Sequence, residues 1–247
     1  MKWLFLLMHL KLLKKILLKK NWKMVRRLKV KILQKILVEK NLQLTNLQKK
    51  IALKRASSMY KLCIVGLGNP DQKYNYTRHN VGKDWLKDVS TTYDVDFSKK
   101  LKFEAEIGES HSSSILWVIP DNYVNNSGNT VSKIIKSTNL EARNFLILHD
   151  DLDLKIGDVR LKESGGHGGH NGLRDIIEKV GSDEFNRLRI GIGHPGSRHE
   201  VTNWVLNKFT PEEKKQLKIS YSKFCNVFDQ IALLEINEVQ KILHTDQ

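Results

Sequence analysis

The sequence predicts an α/β fold: a single domain on a twisted, mixed and largely parallel β-sheet flanked by helices, with a basic N-terminal extension. Two observations predict it. Short apolar, β-prone segments alternate with segments whose apolar residues recur at helical spacing, which is typical of a sheet covered by helices. Hydrophobic residues make up 40% of the 247 residues, which is enough for a packed core.

The first predicted elements lie between residues 60 and 138. Residues 60–67 (YKLCIVGL) form an apolar run that ends in glycine, as expected of a buried strand leading into a loop. Apolar residues at helical spacing predict a helix over residues 81–89. A second strand is predicted over residues 114–119, ended by Pro120, and a second helix over residues 129–138.

The alternation continues through the second half of the chain. Residues 144–148 (NFLIL) and 157–162 are predicted strands, and residues 173–180 a helix followed by glycine. Residues 187–192 (RLRIGI) are the last predicted strand. The sequence Thr-Pro-Glu-Glu at 210–213 predicts a helix start, because threonine caps, proline fits the first turn and acids suit its positive end.

The positive charge is concentrated in the first 58 residues. The whole chain has a net charge of +15, and residues 1–58 hold 17 of the 42 lysines and arginines but one acid, Glu39. Residues 59–247 are therefore close to neutral, so an acidic partner would need a local basic patch there. We place the boundary between extension and domain at residues 58 and 59, where the composition changes just before the first strand.

The extension, residues 1–58, is rich in Leu, Ile and Lys and has the spacing of a basic amphipathic helix. We interpret it as a targeting presequence for mitochondria or another organelle, although it favours lysine over arginine and has few serines. Two alternatives are a dispensable leader, with translation from Met59 and a cytoplasmic protein, and a membrane-surface or RNA-binding arm. The chain has no apolar run of 18 residues, so no membrane-spanning helix is expected.

Residues 165–172 (GGHGGHNG) predict a loop built around a substrate. Five of the fifteen glycines fall in these eight positions. Such a cluster costs conformational entropy unless the backbone must turn sharply or approach something closely. His167 and His170 add side chains that can donate, accept or ligate near neutral pH.

A second polar cluster, residues 149–153 (HDDLD), follows a predicted strand, where ligands bind in open α/β sheets. The acids could be solvated turn residues, or metal ligands together with His167 and His170, although the loop lacks the spacing that fixes two imidazoles on a helix. A histidine paired with an aspartate would instead make a general base. Because the sequence has no serine nucleophile motif and Cys63 and Cys225 lie in apolar stretches, we expect water to be the attacking group.

Several motifs together resemble the bacterial-type peptidyl-tRNA hydrolases. They run in order from about residue 60 to 215 and comprise GLGNP, TRHN, YVNNSG, HDDLD, GGHGGHNG and RLRIGIGHPG. The resemblance implies one α/β domain, a monomer, that needs no metal or cofactor. Its substrate would be peptidyl-tRNA, in which it would cleave the ester between peptide and tRNA and so recycle tRNA from prematurely released chains.

The resemblance also implies roles for individual residues. His79 would be the general base that activates water, and Asp150 would orient and polarise it. Asn69 and Asn125 would bind the peptide backbone and position the scissile carbonyl. The remaining expected substrate contacts are His170 and Asn171 in the crevice, Tyr74 at the 3′ end of the tRNA, and Arg160, Lys162 and Arg189 on tRNA phosphates, with Arg198 a weaker candidate.

The sequence departs from the family pattern at two positions, and one alternative function is open. Asp71 occupies a position where the family usually has glycine, and Val124 one where methionine is common. The alternative is a non-catalytic RNA-binding relative, since plant organelle group II intron splicing factors resemble the hydrolase closely.

Overall fold

The computed structural model describes residues 30–40, 60–110 and 114–244. The chain divides into two compact units, Met1–Leu53 and Lys54–Gln247. In the first unit, residues 30–40 form a helix, α1, with Leu33 and Leu37 exposed. The rest of the predicted presequence and its boundary at residues 58 and 59 lie outside the described residues and stay predictions.

The second unit is built on a seven-stranded mixed sheet, which confirms the predicted fold class. The strand order is β2-β3-β4-β1-β5-β7-β6, and the four central strands, β4, β1, β5 and β7, are parallel. Antiparallel pairs complete both edges. The strands are β1 Leu62–Gly66, β2 Asp96–Lys100, β3 Ala105–Glu109, β4 Ile115–Pro120, β5 Phe145–Asp151, β6 Val159–Lys162 and β7 Asn186–Gly191.

Helices cover both faces of this sheet. Alternate residues of β1 enter opposite cores: Leu62 and Ile64 pack into one, and Cys63 and Val65 into the other. A strand buried on both faces reads as a continuous apolar run, which is why this segment could be recognised in the sequence. The helices of this unit are α2 Val81–Thr91, α3 Ser127–Ser137, α4 Asn171–Val180, α5 Val201–Leu206, α6 Pro211–Asn226, α7 Phe228–Ala232 and α8 Ile236–His244.

Strands β2 and β3 are absent from the sequence-based prediction. The sequence of β2, DFSKK, is polar and mostly exposed, as suits the edge of a sheet. It carries no apolar run, and its pairing with β3 depends on tertiary contacts. Strand β4 also extends through Pro120, one residue beyond its predicted end, and pairs there with Ala105.

Gly82 brings the start of α2 directly onto β5. A β-carbon at this position would lie 2.2 Å from the carbonyl oxygen of Leu148, which no real side chain tolerates. The 3₁₀ turn Arg78–Asn80 precedes α2 immediately. This close approach therefore places His79 beside the carboxyl end of β5, where Asp150 lies.

Arg78 fixes the same turn from the other side. Nη2 of its buried guanidinium donates to both carboxylate oxygens of Glu213, at 3.0 and 2.9 Å. It also donates to the carbonyl oxygen of Lys208 at 3.0 Å and lies 3.8 Å from the centre of the Trp204 ring. Glu213 forms a capping box with Thr210 at the start of α6, so one carboxylate joins that helix to the turn that carries His79.

Candidate active site

A cavity of about 770 Å³ opens near the carboxyl ends of β5 and β7. Residues of three motifs that are far apart in the sequence, TRHN, HDDLD and GGHGGHNG, meet here. The carboxyl ends of parallel strands lie at this edge of the sheet. Six of the predicted site residues line it: His79, Asp150, Lys162, His170, Asn171 and Arg189. Arg198 lines it as well.

His79 and Asp150 form a hydrogen-bonded pair in this cavity. The Nδ1 atom of His79 lies 2.8 Å from Oδ1 of Asp150, whose side chain is 3% exposed. Because a carboxylate accepts, His79 donates from Nδ1, which leaves Nε2 as the nitrogen that can take a proton from water. The geometry is that of a histidine base held in one tautomer by an aspartate.

The environment favours the charged form of both partners. Burial lowers the pKa of His79, but the charge of Asp150 and the hydrogen bond to it outweigh burial and raise the pKa above 6.5. Burial raises the pKa of Asp150, while the charges of and hydrogen bonds from His79 and His170 hold it well below its ordinary value. The aspartate is thus ionised near neutral pH and stabilises a protonated His79.

His170 holds Asp150 from the opposite side. Its Nδ1 accepts from the backbone N–H of Leu173 at 3.2 Å, as the N-cap of α4. Its Nε2 lies 3.1 Å from Oδ1 of Asp150 and must therefore be the protonated nitrogen. The helix cap fixes the tautomer of His170, and His170 in turn orients Asp150 toward His79. The resemblance implies only that His170 lines the crevice. The structure places it there and adds the contact with Asp150.

His149, the first residue of the HDDLD cluster, is a buried neighbour for which the sequence predicted no separate role. Its Nδ1 donates to the backbone carbonyl of Asp150 at 2.7 Å, and its ring centre lies 5.1 Å from that of His170. Burial and the neighbouring His170 lower its pKa to about 3, so its ring is neutral at physiological pH. Its position directly before Asp150 in HDDLD is the signal that could have identified it.

Asn69 and Asn125 lie outside the lining of this cavity, on two loops that are joined to each other. The side-chain oxygen of Asn69 accepts from the backbone N–H of Val124 at 3.0 Å. The backbone N–H of Asn69 donates to Oδ1 of Asn80 at 2.8 Å, next to His79 in the chain. These contacts leave the amino group of Asn69 for a substrate, and Asn125 is exposed on the facing loop.

Tyr74 lies on the same pair of loops as Asn69 and Asn125. It is half-buried and does not line the cavity. Its ring packs edge-on against that of Tyr123, with 6.3 Å between ring centres. Tyr74 therefore lies with Asn69 and Asn125 on the loop pair and apart from the histidine cluster.

Cations from β6 and β7 face each other across the sheet edge. Arg160 is paired in register with Arg189, and Lys162 with Arg187. Arg189 donates from Nε to Asp151 at 2.7 Å, and Arg160 is outside the cavity lining. Like charges directly opposite on paired strands are destabilising, and the carboxylate of Asp151 partly offsets the charges of Arg160 and Arg189.

Arg187 is a further residue of the site that the sequence did not indicate. It is buried and donates to the carbonyl oxygens of Gly165 and Gly166, the latter at 2.7 Å. These bonds fix the start of the glycine-rich loop, in which Gly165, Gly168 and Gly169 have positive φ angles. Arg187 of β7 thus fixes the position of the loop, and the glycines allow its backbone to turn.

The donor atoms of His79, Asp150 and His170 all lie within 4.8 Å of one another, so these three residues could hold a metal ion. Metal binding would displace the protons that both histidines donate to Asp150. His167, which the sequence suggested as a ligand, is outside this group, and its Nδ1 accepts from the N–H of Gly169 at 3.0 Å. The hydrogen bonds account for the same three side chains without an ion.

The fold and this site define a class: single-sheet α/β proteins with a buried aspartate between two histidines at the carboxyl edge of parallel strands. The family model described as "Peptidyl-tRNA hydrolase" matches residues 63–247. The peptidyl-tRNA hydrolases of Marinomonas sp. (strain MWYL1) and Francisella tularensis subsp. novicida (strain U112) are 37% and 38% identical over 185 and 184 residues. These alignments cover 74% of this chain and 95% and 96% of the relatives.

Solved structures agree with this result. The crystal structure of peptidyl-tRNA hydrolase from Acinetobacter baumannii superposes with a TM-score of 0.71 at 34% identity, covering 74% of this chain and 93% of that protein. The chain belongs to the peptidyl-tRNA hydrolase family. Among the described residues, no helix is long and apolar enough to cross a membrane.

Replacing His170 is expected to shift the pH dependence of any reaction that uses His79. In His170→Ala, Asp150 loses a hydrogen-bond donor and becomes more basic, so it binds protonated His79 more tightly. The pKa of His79, already raised, should rise further. The acid limb of the kcat–pH profile should therefore move to higher pH, with kcat reduced at pH 7. His199→Ala, which changes an exposed histidine outside the cavity lining, is the control; an unmoved limb in His170→Ala would contradict the assigned role.

Proposed function

We propose that this protein hydrolyses the ester bond between peptide and tRNA in peptidyl-tRNA, with His79 as the general base for water. The observation that carries this proposal is the 2.8 Å hydrogen bond between Nδ1 of His79 and the buried Asp150, at an open cavity in a member of the peptidyl-tRNA hydrolase family. The pair supplies a base, and family membership supplies the substrate class.

In the first step, Nε2 of His79 takes a proton from water while the water oxygen bonds to the ester carbonyl carbon. Asp150 stabilises the resulting imidazolium. The negative charge on the carbonyl oxygen would be held by amide donors, for which Asn171 and the free amino group of Asn69 are candidates. When the tetrahedral intermediate collapses, the carbon–oxygen bond to the tRNA breaks and the ribose oxygen takes the proton from His79. The products are a peptide carboxylic acid and a tRNA with a free terminal hydroxyl.

The basic edge of the sheet supports tRNA as the partner. Lys162, Arg189 and Arg198 line the cavity that holds His79, so phosphates could be bound next to the reacting ester. Arg160 lies opposite Arg189 and would extend this basic edge beyond the cavity. The near-neutral charge of residues 59–247 makes such a local patch necessary.

Lys162→Ala tests the phosphate contact. Because Lys162 is exposed and lines the cavity, its loss should raise the KM for peptidyl-tRNA by about threefold to tenfold with little change in kcat. The slope of log(kcat/KM) against log salt should become shallower by about 0.7–0.9, the value for one phosphate contact. Lys136→Ala, an exposed lysine of α3 outside the cavity lining, is the control. A salt slope equal to that of the wild type would remove Lys162 from the tRNA interface.

Release of N-acetylamino acid from N-acetyl-aminoacyl-tRNA by the purified protein tests the proposed function. Multiple turnovers that persist in the presence of a metal chelator are expected. Tight RNA binding without release would favour the alternative, a non-catalytic RNA-binding relative. Release that the chelator abolishes and zinc restores would instead indicate a metal-dependent hydrolase using the His79–Asp150–His170 group.

We further propose that residues 1–58 direct the protein to mitochondria or another organelle and that the domain acts as a monomer. The basic, nearly acid-free composition of this segment supports targeting. N-terminal sequencing of the protein recovered from organelles should find the extension removed. A cytoplasmic protein that begins at Met59 would contradict the targeting proposal.

A further inference from the structure

The two loops that carry Asn69 and Asn125 are joined by a second, outer contact. The inner contact is the buried hydrogen bond from the N–H of Val124 to Asn69. The outer contact is a hydrogen bond of 2.7 Å in which the hydroxyl of Tyr123 donates to Oδ2 of Asp71. Asp71 follows Asn69 by two residues, and Tyr123 precedes Asn125 by two. The bond therefore spans the same gap between the loops, nearer to solvent.

The fold does not require this outer bond. The side chain of Asp71 is 45% exposed and Tyr123 is 44% exposed, and a hydrogen bond between exposed groups contributes little to stability. Asp71 has an ordinary extended backbone conformation, with φ of −67°, so no strain dictates the residue type. A glycine at this position would have no side chain to make the bond. Asp71 therefore adds both a link and a negative charge to the loop pair.

Nearby groups offset this charge only in part. Nζ of Lys73 lies 3.9 Å from Oδ2 of Asp71, but its side chain is 67% exposed and it also lies over the ring of Tyr74. An exposed ion pair of this length is weakly held and screened by salt. The hydroxyl of Tyr123 donates to the carboxylate, and the ring of Tyr123 packs edge-on against that of Tyr74. A peptide held by Asn69 and Asn125 would lie near this carboxylate, because Asp71 follows Asn69 by two residues and Tyr123, which donates to Asp71, precedes Asn125 by two.

We propose that the Asp71–Tyr123 bridge is a specificity element that disfavours peptidyl-tRNAs whose residue next to the ester carries negative charge. The inference rests on the proposed function and on Asn69 and Asn125 binding the peptide. Tyr123 holds the carboxylate of Asp71 in place across the loops. An acidic peptide side chain entering there meets like charge, whereas its uncharged amide counterpart does not.

The test uses one tRNA acylated with either N-acetyl-glutamate or N-acetyl-glutamine, and the readout is the ratio of kcat/KM for the two. Asp71→Asn keeps an acceptor for Tyr123 but removes the charge, and should raise the glutamate-to-glutamine ratio about threefold to tenfold. Tyr123→Phe keeps the charge but releases it from the bridge, and should raise the ratio by a smaller factor. Asp96→Asn, an exposed acid on the edge strand β2, is the matched control and should keep the wild-type ratio.

The outcomes separate this inference from the proposed function. If the wild type hydrolyses both substrates and Asp71→Asn leaves the ratio unchanged, the specificity role is overturned and the hydrolase function stands. An equal rise in the ratio for Asp96→Asn would also overturn it, because the effect would then follow net charge alone. If the wild type releases neither amino acid, the proposed function fails, and this inference fails with it.

Discussion

Asp150→Asn is expected to lower kcat by about 10²- to 10⁴-fold, the range that a positioned general base contributes. The carboxylate holds His79 in the tautomer that leaves Nε2 free, through the 2.8 Å bond from Nδ1, and it stabilises the imidazolium. An asparagine offers an amide that can donate to Nδ1, which would turn the basic nitrogen away from water. The negative charge opposite the imidazolium is lost as well.

The pH profile of this variant provides a second readout. Because Asp150 raises the pKa of His79, its neutral replacement should lower that pKa. The acid limb of the residual activity should therefore move to lower pH, opposite to the shift expected for His170→Ala. Asp153→Asn, an exposed acid of the same HDDLD motif, is the matched control. An Asp150→Asn enzyme with kcat within threefold of the wild type would show that His79 does not depend on this partner.

Arg78→Ala is expected to lower the free energy of unfolding by about 3–5 kcal/mol, the cost of removing one partner of a buried ion pair. Glu213, 16% exposed, would lose both of its bonds to the guanidinium. The carbonyl oxygen of Lys208 would lose a donor, and the Trp204 ring its cation contact. Urea unfolding followed by tryptophan fluorescence measures the loss.

Arg143→Ala provides the contrast for this prediction. Arg143 pairs with Glu141 at 2.8 Å, but the two side chains are 75% and 65% exposed. Exposed ion pairs contribute about 0–1 kcal/mol, so this variant should unfold almost as the wild type does. Equal free energies of unfolding for Arg78→Ala and Arg143→Ala would show that the Arg78–Glu213 ion pair, which joins α6 to the turn of His79, is not important for stability.

The sequence predicts the fold where burial leaves a pattern. Strands such as β1 and β5 are buried on both faces and read as apolar runs, so the α/β class follows from them and is confirmed. The polar edge strand β2 and the short strand β3 beside it, AEIGE, leave no such pattern, because their conformation depends on pairing across the sheet. The strands that the sequence misses are therefore the two at one end of the sheet, whereas β6, at the other end, is predicted.

The site, like the fold, could be predicted from the sequence only in part. Asp150 follows the predicted strand 144–148 and lies at the carboxyl end of β5, and His170 lies in a glycine-rich loop; these positions in the sequence are enough to indicate chemistry. The shared acceptor between His79 and His170, and the helix cap that fixes the tautomer of His170, are three-dimensional relations that no local pattern encodes. The bond from Tyr123 to Asp71 joins residues 52 positions apart and is equally invisible in the sequence.

The most direct test of the central claim, that His79 activates water, is the rate of N-acetylamino acid release from N-acetyl-aminoacyl-tRNA by His79→Ala. His79 is partly exposed at the cavity, so the variant is expected to fold and to bind tRNA as the wild type does. With Nε2 gone, kcat should fall by about 10²- to 10⁴-fold while KM changes little. Release at a rate within threefold of the wild type, in a folded His79→Ala protein, would contradict the mechanism.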